Sequence, residues 1–375
     1  MRREICIVTW FGTENYGSNL QAIGLSQTLK EMGYEPFFLE RFKVKSFLLK
    51  HPTLLYARVI NKINMNKRRA FFNPVPYTIS QKRKERVEKF KNKHFKAKNY
   101  YSTEHWKTDV DNNTIFICGS DILWNPARGY PAINFLDIAY YAGLSRFSYA
   151  SSVGAQELPK RYYKAYRRYL GSMKGVGVRE QAVAEMLEPI IGFKPTKVID
   201  PSLLRTAEQW DKYADHAELS VEIDKDGFIL CYFVMNDSRY WEYVKKVREA
   251  TNLQVIILPM HQQDEEQGYD TVLDGTTYEF LWLIKNATFI CTDSFHACVV
   301  SMIYHKEFYL VRRLRKSEDA KYNDFLGRYH LMERVVSDES RFIRKTEIDY
   351  TFADEKLRED KEFSTNFLRK MLEKC

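Results

Sequence analysis

Short apolar runs alternate with longer stretches whose apolar residues recur at helical spacing, and the alternation begins with the first residues of the chain. Residues 4–10 read as a strand, 12–18 as a polar loop with glycines, 19–32 as a helix ending near Gly33, and 34–40 as a second strand. Strand, helix and strand in that order make a parallel pair joined by a crossover helix. The pattern then predicts strands over 114–118, 146–151, 175–179 and 196–199, with helices over 161–173 and 181–191. It breaks at 206–226, a polar stretch rich in Asp and Glu. A fresh series follows: strand 228–233, helix 239–251, strand 254–259, helix 277–286, strand 289–291, helix 294–304 and strand 307–311. The expected fold class is α/β, with two Rossmann-like, doubly wound domains facing across a cleft and divided into residues 1–205 and 206–375.

At 375 residues the chain exceeds one compact core, and 45% hydrophobic residues suffice for two. No run of 18 or more apolar residues occurs and the N-terminus enters a strand at once, so neither a membrane span nor a signal peptide is expected and the location reads as cytoplasmic. Cys6, Cys118, Cys231 and Cys291 lie in apolar strands, Cys298 on an apolar helix face, and Cys375 at the end. None forms a C-x-x-C pair, so neither a metal site nor a disulfide framework is expected.

The net charge of +9 is uneven: residues 41–107 hold 19 Lys or Arg against 3 Glu, which puts +16 in that insertion and leaves −7 elsewhere. Three readings compete for it. One is a solvated helical surface. Another is docking onto an anionic membrane, because Phe47, Leu48, Leu49, Leu54, Leu55, Tyr56, Val59 and Ile60 interleave with the charge as in interfacial helices. The third, nucleic-acid binding, is the weakest, since no recognition module is legible around the patch, and no nucleic acid is expected as a partner.

Chemistry concentrates at the ends of the predicted strands. Thr292, Asp293, Ser294 and His296 sit between an apolar strand and an apolar helix, the edge at which open α/β sheets bind ligands. The first helical turn offers unpaired amides and a positive dipole end, so an anion is the expected guest. The simpler reading has Ser294 or Asp293 only capping the helix. Polar loops also follow four strands of the first half, at 12–19, 119–121, 151–154 and 179–180. Arg179 closes the strand Val176-Gly177-Val178, where its planar fork can grip a carboxylate or phosphate, or else pair with Glu180 or Glu185. Asp121 is placed as a base or a turn cap. Asp109-Val110-Asp111 matches a D-x-D metal motif but precedes its strand and is discounted. No H-E-x-x-H, G-x-S-x-G or Cys/His cluster occurs.

Taken together, the segments Asn15-Tyr16-Gly17-Ser18-Asn19-Leu20-Gln21-Ala22, Gly119-Ser120-Asp121 with Trp124-Asn125, Ser148 to Gly154, Val178-Arg179-Glu180, Asp200-Pro201-Ser202 and Thr292-Asp293-Ser294-Phe295-His296 resemble the polysaccharide pyruvyl transferase family in order and spacing. The resemblance spans most of the chain outside 41–107. It implies a GT-B-like pair of domains, phosphoenolpyruvate as donor substrate without a further cofactor, and a sugar, lipid-linked or within a glycan, as acceptor. The first domain would take the acceptor and the second the donor. Such a reaction needs a proton carrier, a cation and donors for phosphate. His296 is the candidate acid or base, Arg179 the clamp, and the Ser294 hydroxyl with the following amides the anion cradle. Asp121 and Asn15 fall to the acceptor side. Tyr16, Gly17, Ser18, Ser120, Ser152, Glu180, Asp293 and Phe295 complete the expected site. Some relatives carry arginine where this chain has Ser294, so Arg312 or Arg313 is expected to supply a further cation. The expected enzyme adds pyruvate to a cell-surface glycan precursor at the inner membrane face. A GT-B glycosyltransferase using a nucleotide sugar, or a non-catalytic glycan- or membrane-binding relative, would share the scaffold.

Overall fold

The computed structural model describes residues 2–42, 79–100, 113–125, 136, 139–140, 143–155, 157–311, 316–336 and 347–375. Most of the basic insertion, the Asp109-Val110-Asp111 segment and both Arg312 and Arg313 lie outside the described residues.

Two parallel sheets carry the chain. The first is built from β1 (Glu4–Val8), β2 (Glu35–Phe42), β3 (Ala97–Tyr100), β4 (Ile115–Cys118), β5 (Arg146–Ser151), β6 (Val176–Val178) and β7 (Thr196–Lys197), side by side as 3-2-1-4-5-6-7. The second holds β8 (Phe228–Tyr232), β9 (Gln254–Ile257), β10 (Asp270–Thr271), β11 (Phe289–Thr292), β12 (Phe308–Val311) and β13 (Val335–Val336), ordered 10-9-8-11-12-13. Every pairing is parallel. Central strands such as Ile-Cys-Ile-Val and Phe-Ile-Leu-Cys-Tyr are buried throughout, as a sheet covered on both faces requires. In each sheet the order reverses at one place, between β1 and β4 and between β8 and β11. A crevice opens at such a switch point.

The described helices are α1 (Tyr16–Glu31), α2 (Gln81–His94), α3 (Tyr163–Leu170), α4 (Gln181–Ile191), α5 (Ala207–Ala214), α6 (Ser238–Thr251), α7 (Thr277–Asn286), α8 (Phe295–Ile303), α9 (Lys316–Arg328) and α10 (Thr351–Glu373), with a four-residue turn at Gln262–Glu265. One apolar core runs from the first sheet through α1, α5, α7 and α8 into the second, joining Leu20, Leu25, Trp210, Phe280, Ile284 and Val300. Gly24 of α1 lets the helix sit against the Pro201 carbonyl, which a Cβ would approach to 2.2 Å. The two halves are therefore packed together rather than strung on a linker.

Three features differ from the sequence expectation. The polar stretch after residue 205 contains α5, closed by a reciprocal cap between Thr206 and Gln209, with Trp210 fully buried. The basic insertion is not solvated throughout, because α2 docks through Arg83, Val87 and Phe90. Finally, α10 leaves the second sheet and packs on the first: Ser364 Oγ accepts the Ile199 amide at 3.1 Å, and Met371 covers Gly175.

Candidate active site

Loops at the carboxyl edges of the two sheets, from both switch points, line one cleft. Loops after β1 and β4 supply Trp10, Thr13, Asn15, Asp121 and Ile122, and loops after β8 and β11 supply Val234, Met235, Ser294, Phe295 and His296. With Ser18, Arg179, Tyr232 and Lys321 these line a cleft of about 480 Å3. That volume suits a small-molecule site between two lobes.

Helix α1 is started by Asn15, whose Oδ1 accepts the Ser18 amide at 3.1 Å, and α8 by Ser294, whose Oγ accepts the Ala297 amide at 3.4 Å. Neither helix has an acidic residue of its own in its first turn, while the Asp121 carboxylate stands at that of α1 through Ser18. The two N-termini abut. A Cβ on Gly17 would fall 2.1 Å from Nδ1 of His296, so only glycine lets the imidazole lie against α1. Asn19 fixes the loop before α1: its Oδ1 accepts the Gly12 and Thr13 amides, and its Nδ2 reaches Thr277 Oγ1 in the other half at 3.0 Å.

At the floor lies Asp200, fully buried. Its Oδ2 accepts Arg179 Nη1 at 3.1 Å and Ser120 Oγ at 3.1 Å, and stands 3.6 Å from His296 Nε2. Its Oδ1 accepts both the amide and the hydroxyl of Ser202. Burial alone would raise this carboxyl, but the facing imidazole, the guanidinium and the Ser202 hydroxyl outweigh it and hold Asp200 well below the ordinary carboxylate range. Burial likewise works against Arg179, yet Glu180, Asp200 and Asp121 together keep its guanidinium firmly charged. Arg179 Nε donates to Glu180 at 2.8 Å, and Phe295 stacks under the guanidinium at 4.9 Å. Two of its five N–H groups are thus spoken for by carboxylates. Nε2 of His296 is buried and has no hydrogen-bond partner among the described residues. Imidazole and guanidinium flank one oxygen and open onto one cleft.

Asp121 holds a left-handed backbone at φ +81°, uncommon outside glycine, and is fixed there by hydrogen bonds to both its carboxylate and its carbonyl. Its Oδ1 accepts the Ile122 amide, its Oδ2 accepts Ser18 Oγ at 3.1 Å, and its carbonyl accepts the Ser152 amide.

Of the residues expected from sequence, Asn15, Ser18, Asp121, Arg179, Ser294, Phe295 and His296 line the cleft. Gly17 backs the imidazole, Ser120 and Glu180 hold the floor charges, and Ser152 braces the loop through the Gly154 amide. Two stand behind the wall. Tyr16 is buried, donating to the Gly275 carbonyl and accepting from Arg83 at 2.7 Å; burial pushes its phenol up to about 12 with Arg83 opposing. Asp293 gives both carboxylate oxygens to the amides of Val234 and Met235 and so sets the loop after β8. Sequence reasoning placed no site role on Asp200, Trp10 or Lys321. Asp200 had a signal, since it follows a strand within a family-like segment. Among the described residues no cluster of His, Cys, Asp and Glu could hold a metal ion, and all six cysteines are free.

A polar cleft between two Rossmann-like halves, lined by loops from both switch points, belongs to a GT-B-like α/β scaffold. A sequence model of polysaccharide pyruvyl transferase matches residues 15–313, and the chain belongs to that family. Among solved structures it is similar to the UDP-GlcNAc 2-epimerase of Neisseria meningitidis bound to UDP-GlcNAc, at 10% identity over 100% of both chains, TM-score 0.51. It is also similar to the UDP-GlcNAc 2-epimerase of Methanocaldococcus jannaschii, at 13% identity over 98% of this chain and 93% of the other, TM-score 0.50. These likenesses show the fold. Comparison with curated proteins returns no match.

Proposed function

We propose that the chain transfers the pyruvyl group of phosphoenolpyruvate onto two hydroxyls of a sugar in a cell-surface polysaccharide or a lipid-linked precursor, closing a ketal. One observation carries this reading. The N-termini of α1 and α8 meet around the His296 imidazole, whose Nε2 stands 3.6 Å from the buried Asp200 carboxylate, beside Arg179 and Lys321, in a cleft sized for two small substrates.

The donor brings a carboxylate and a phosphate, and the N-terminus of α8, Lys321 and the remaining Arg179 donors answer that charge. His296 delivers a proton to the methylene carbon, which becomes a methyl group as the first sugar hydroxyl bonds to the central carbon. The second hydroxyl then bonds to the same carbon as phosphate departs with the C–O electron pair. The two hydroxyl protons balance the proton given to carbon and the one taken by phosphate. The Asp200 carboxylate faces the imidazole at 3.6 Å and positions it. No resident cofactor enters the reaction. Asp121 and Asn15 stand on the acceptor side. In the same reading the basic insertion at 41–107, with its interleaved apolar residues, meets an anionic membrane face that presents the lipid-linked acceptor.

Phosphate release from phosphoenolpyruvate, dependent on added acceptor, tests the proposal. His296→Gln should lower kcat by at least about 100-fold, as loss of an acid–base group does, with the melting transition retained. Unchanged turnover would remove His296 from the mechanism. Nucleotide release from a UDP-sugar, without phosphate release from phosphoenolpyruvate, would replace the reading with glycosyl transfer.

A further inference from the structure

We infer that Trp10 is the stacking platform for the acceptor, and that the acceptor ring bound there is a neutral pyranose. The inference rests on the proposed transfer to a sugar and adds where and how the sugar is held.

Trp10 follows β1 at the switch point and lines the cleft, yet 44% of it is exposed. Its exposure is not looseness of the loop. The fully buried Gln21 donates to the Trp10 carbonyl at 2.9 Å and to the Thr9 side-chain Oγ1 at 2.9 Å, so the backbone is pinned at the Trp10 carbonyl while the indole stays exposed. Among the described residues the indole makes no ring contact, ion pair or hydrogen bond of its own. A tryptophan on a rigid backbone, unpartnered and facing a polar cleft, offers a preformed apolar face at low entropic cost.

Its neighbours on that wall are Thr13, Asn15, Ser18 and Asp121. They are short hydroxyl, amide and carboxylate groups, and the one charge among them is negative. A donor bearing carboxylate and phosphate is repelled there and drawn to the opposite wall, where α8 begins. A pyranose fits both features: one face of axial C–H bonds packs on an indole, and its hydroxyls hydrogen-bond to short polar side chains. The Asp121 carboxylate, locked at its left-handed turn and bonded to Ser18, accepts from a hydroxyl without moving.

The full chain would be titrated with methyl glucoside, methyl galactoside and methyl mannoside, without phosphoenolpyruvate, while its tryptophan fluorescence is followed. The expected result is saturable quenching by at least one of them, absent in Trp10→Ala and weakened in Trp10→Phe. With the acceptor in turnover, Trp10→Ala should raise its KM by about tenfold while kcat and the KM for phosphoenolpyruvate stay within about twofold. Equal quenching in Trp10→Ala, no quenching in the parent protein, or an unchanged acceptor KM overturns the inference. If pyranosides quench Trp10 but phosphoenolpyruvate yields no phosphate, the transfer reading fails and the sugar platform stands.

Discussion

A single missing methyl group decides how the two halves meet at the chemistry. Gly17 has no Cβ, and that absence is the space His296 occupies. Gly17→Ala should therefore displace the imidazole and cut turnover by about 100-fold, since misplacing a reacting group by about an ångström costs that much. The fold should survive, because the strain is relieved by rotating one partly exposed side chain. Parent-like kcat in Gly17→Ala would show that the observed imidazole position is not the working one. The residues flanking Gly17 divide the labour by side-chain chemistry: Asn15 caps, Ser18 ties down Asp121, Asn19 fixes the loop, and Tyr16 reaches into the other half. Motif spacing made His296, Arg179 and Asp121 legible as a group. It did not disclose Asp200, because an aspartate before proline reads equally as a turn cap, and Asp200 does cap the Ser202 amide.

At the scale of elements, α2 was the part of the chain hardest to read. Its sequence, QKRKERVEKFKNKH, has the charge of a solvated helix, and its apolar signal is two residues, Val87 and Phe90. What docks it is electrostatic. Arg83 is fully buried, donating to Tyr16 Oη and to the Pro259 carbonyl, while Arg86 pairs with Glu279 at 2.8 Å and Asp274 at 3.2 Å. Arg83→Ala leaves a cavity and two deserted polar groups, and should lower stability by about 2–4 kcal/mol, read as a lower urea midpoint. An unchanged midpoint would mean that α2 is not clamped through this residue. The core strands were legible because a doubly covered sheet demands unbroken apolar runs. The edge strands β3, β10 and β13 were not, β3 and β10 being short and half polar and β13 only two residues long. Likewise α5 lay hidden in a stretch whose acidic composition masked the one buried face around Trp210.

For the whole molecule, cohesion at one three-way junction is tied to acidity. His94 of α2 sits among Tyr213, His216 and Tyr278, and burial, reinforced by the neighbouring Lys93 and His216, lowers its imidazole from 6.5 to about 4. The unfolded chain takes up this proton first as pH falls, so between about 6.5 and 4 the stability drops with falling pH. The expected loss is ~1 kcal/mol once solvent screening of this partly exposed group is discounted. Melting temperatures of the parent and His94→Asn at pH 7.5 and pH 5 would check it: the parent should lose more on acidification, and equal losses would place the sensitivity elsewhere. Alternating strands and helices disclosed the doubled architecture, whereas nothing in the local pattern of residues 351–373 revealed which sheet that helix would join. Its partners, Tyr149, Gly175 and Ile199, are more than 150 residues away in sequence.

That return crossing has a mechanical consequence. A lobe suspended by one strand of chain can swing in any direction, but the second sheet is entered from the first half after β7 and left again toward it through α10. With the apolar core that spans both halves, these two crossings fasten the lobes by packing as well as by the chain itself, so the loops that face each other are held in one register.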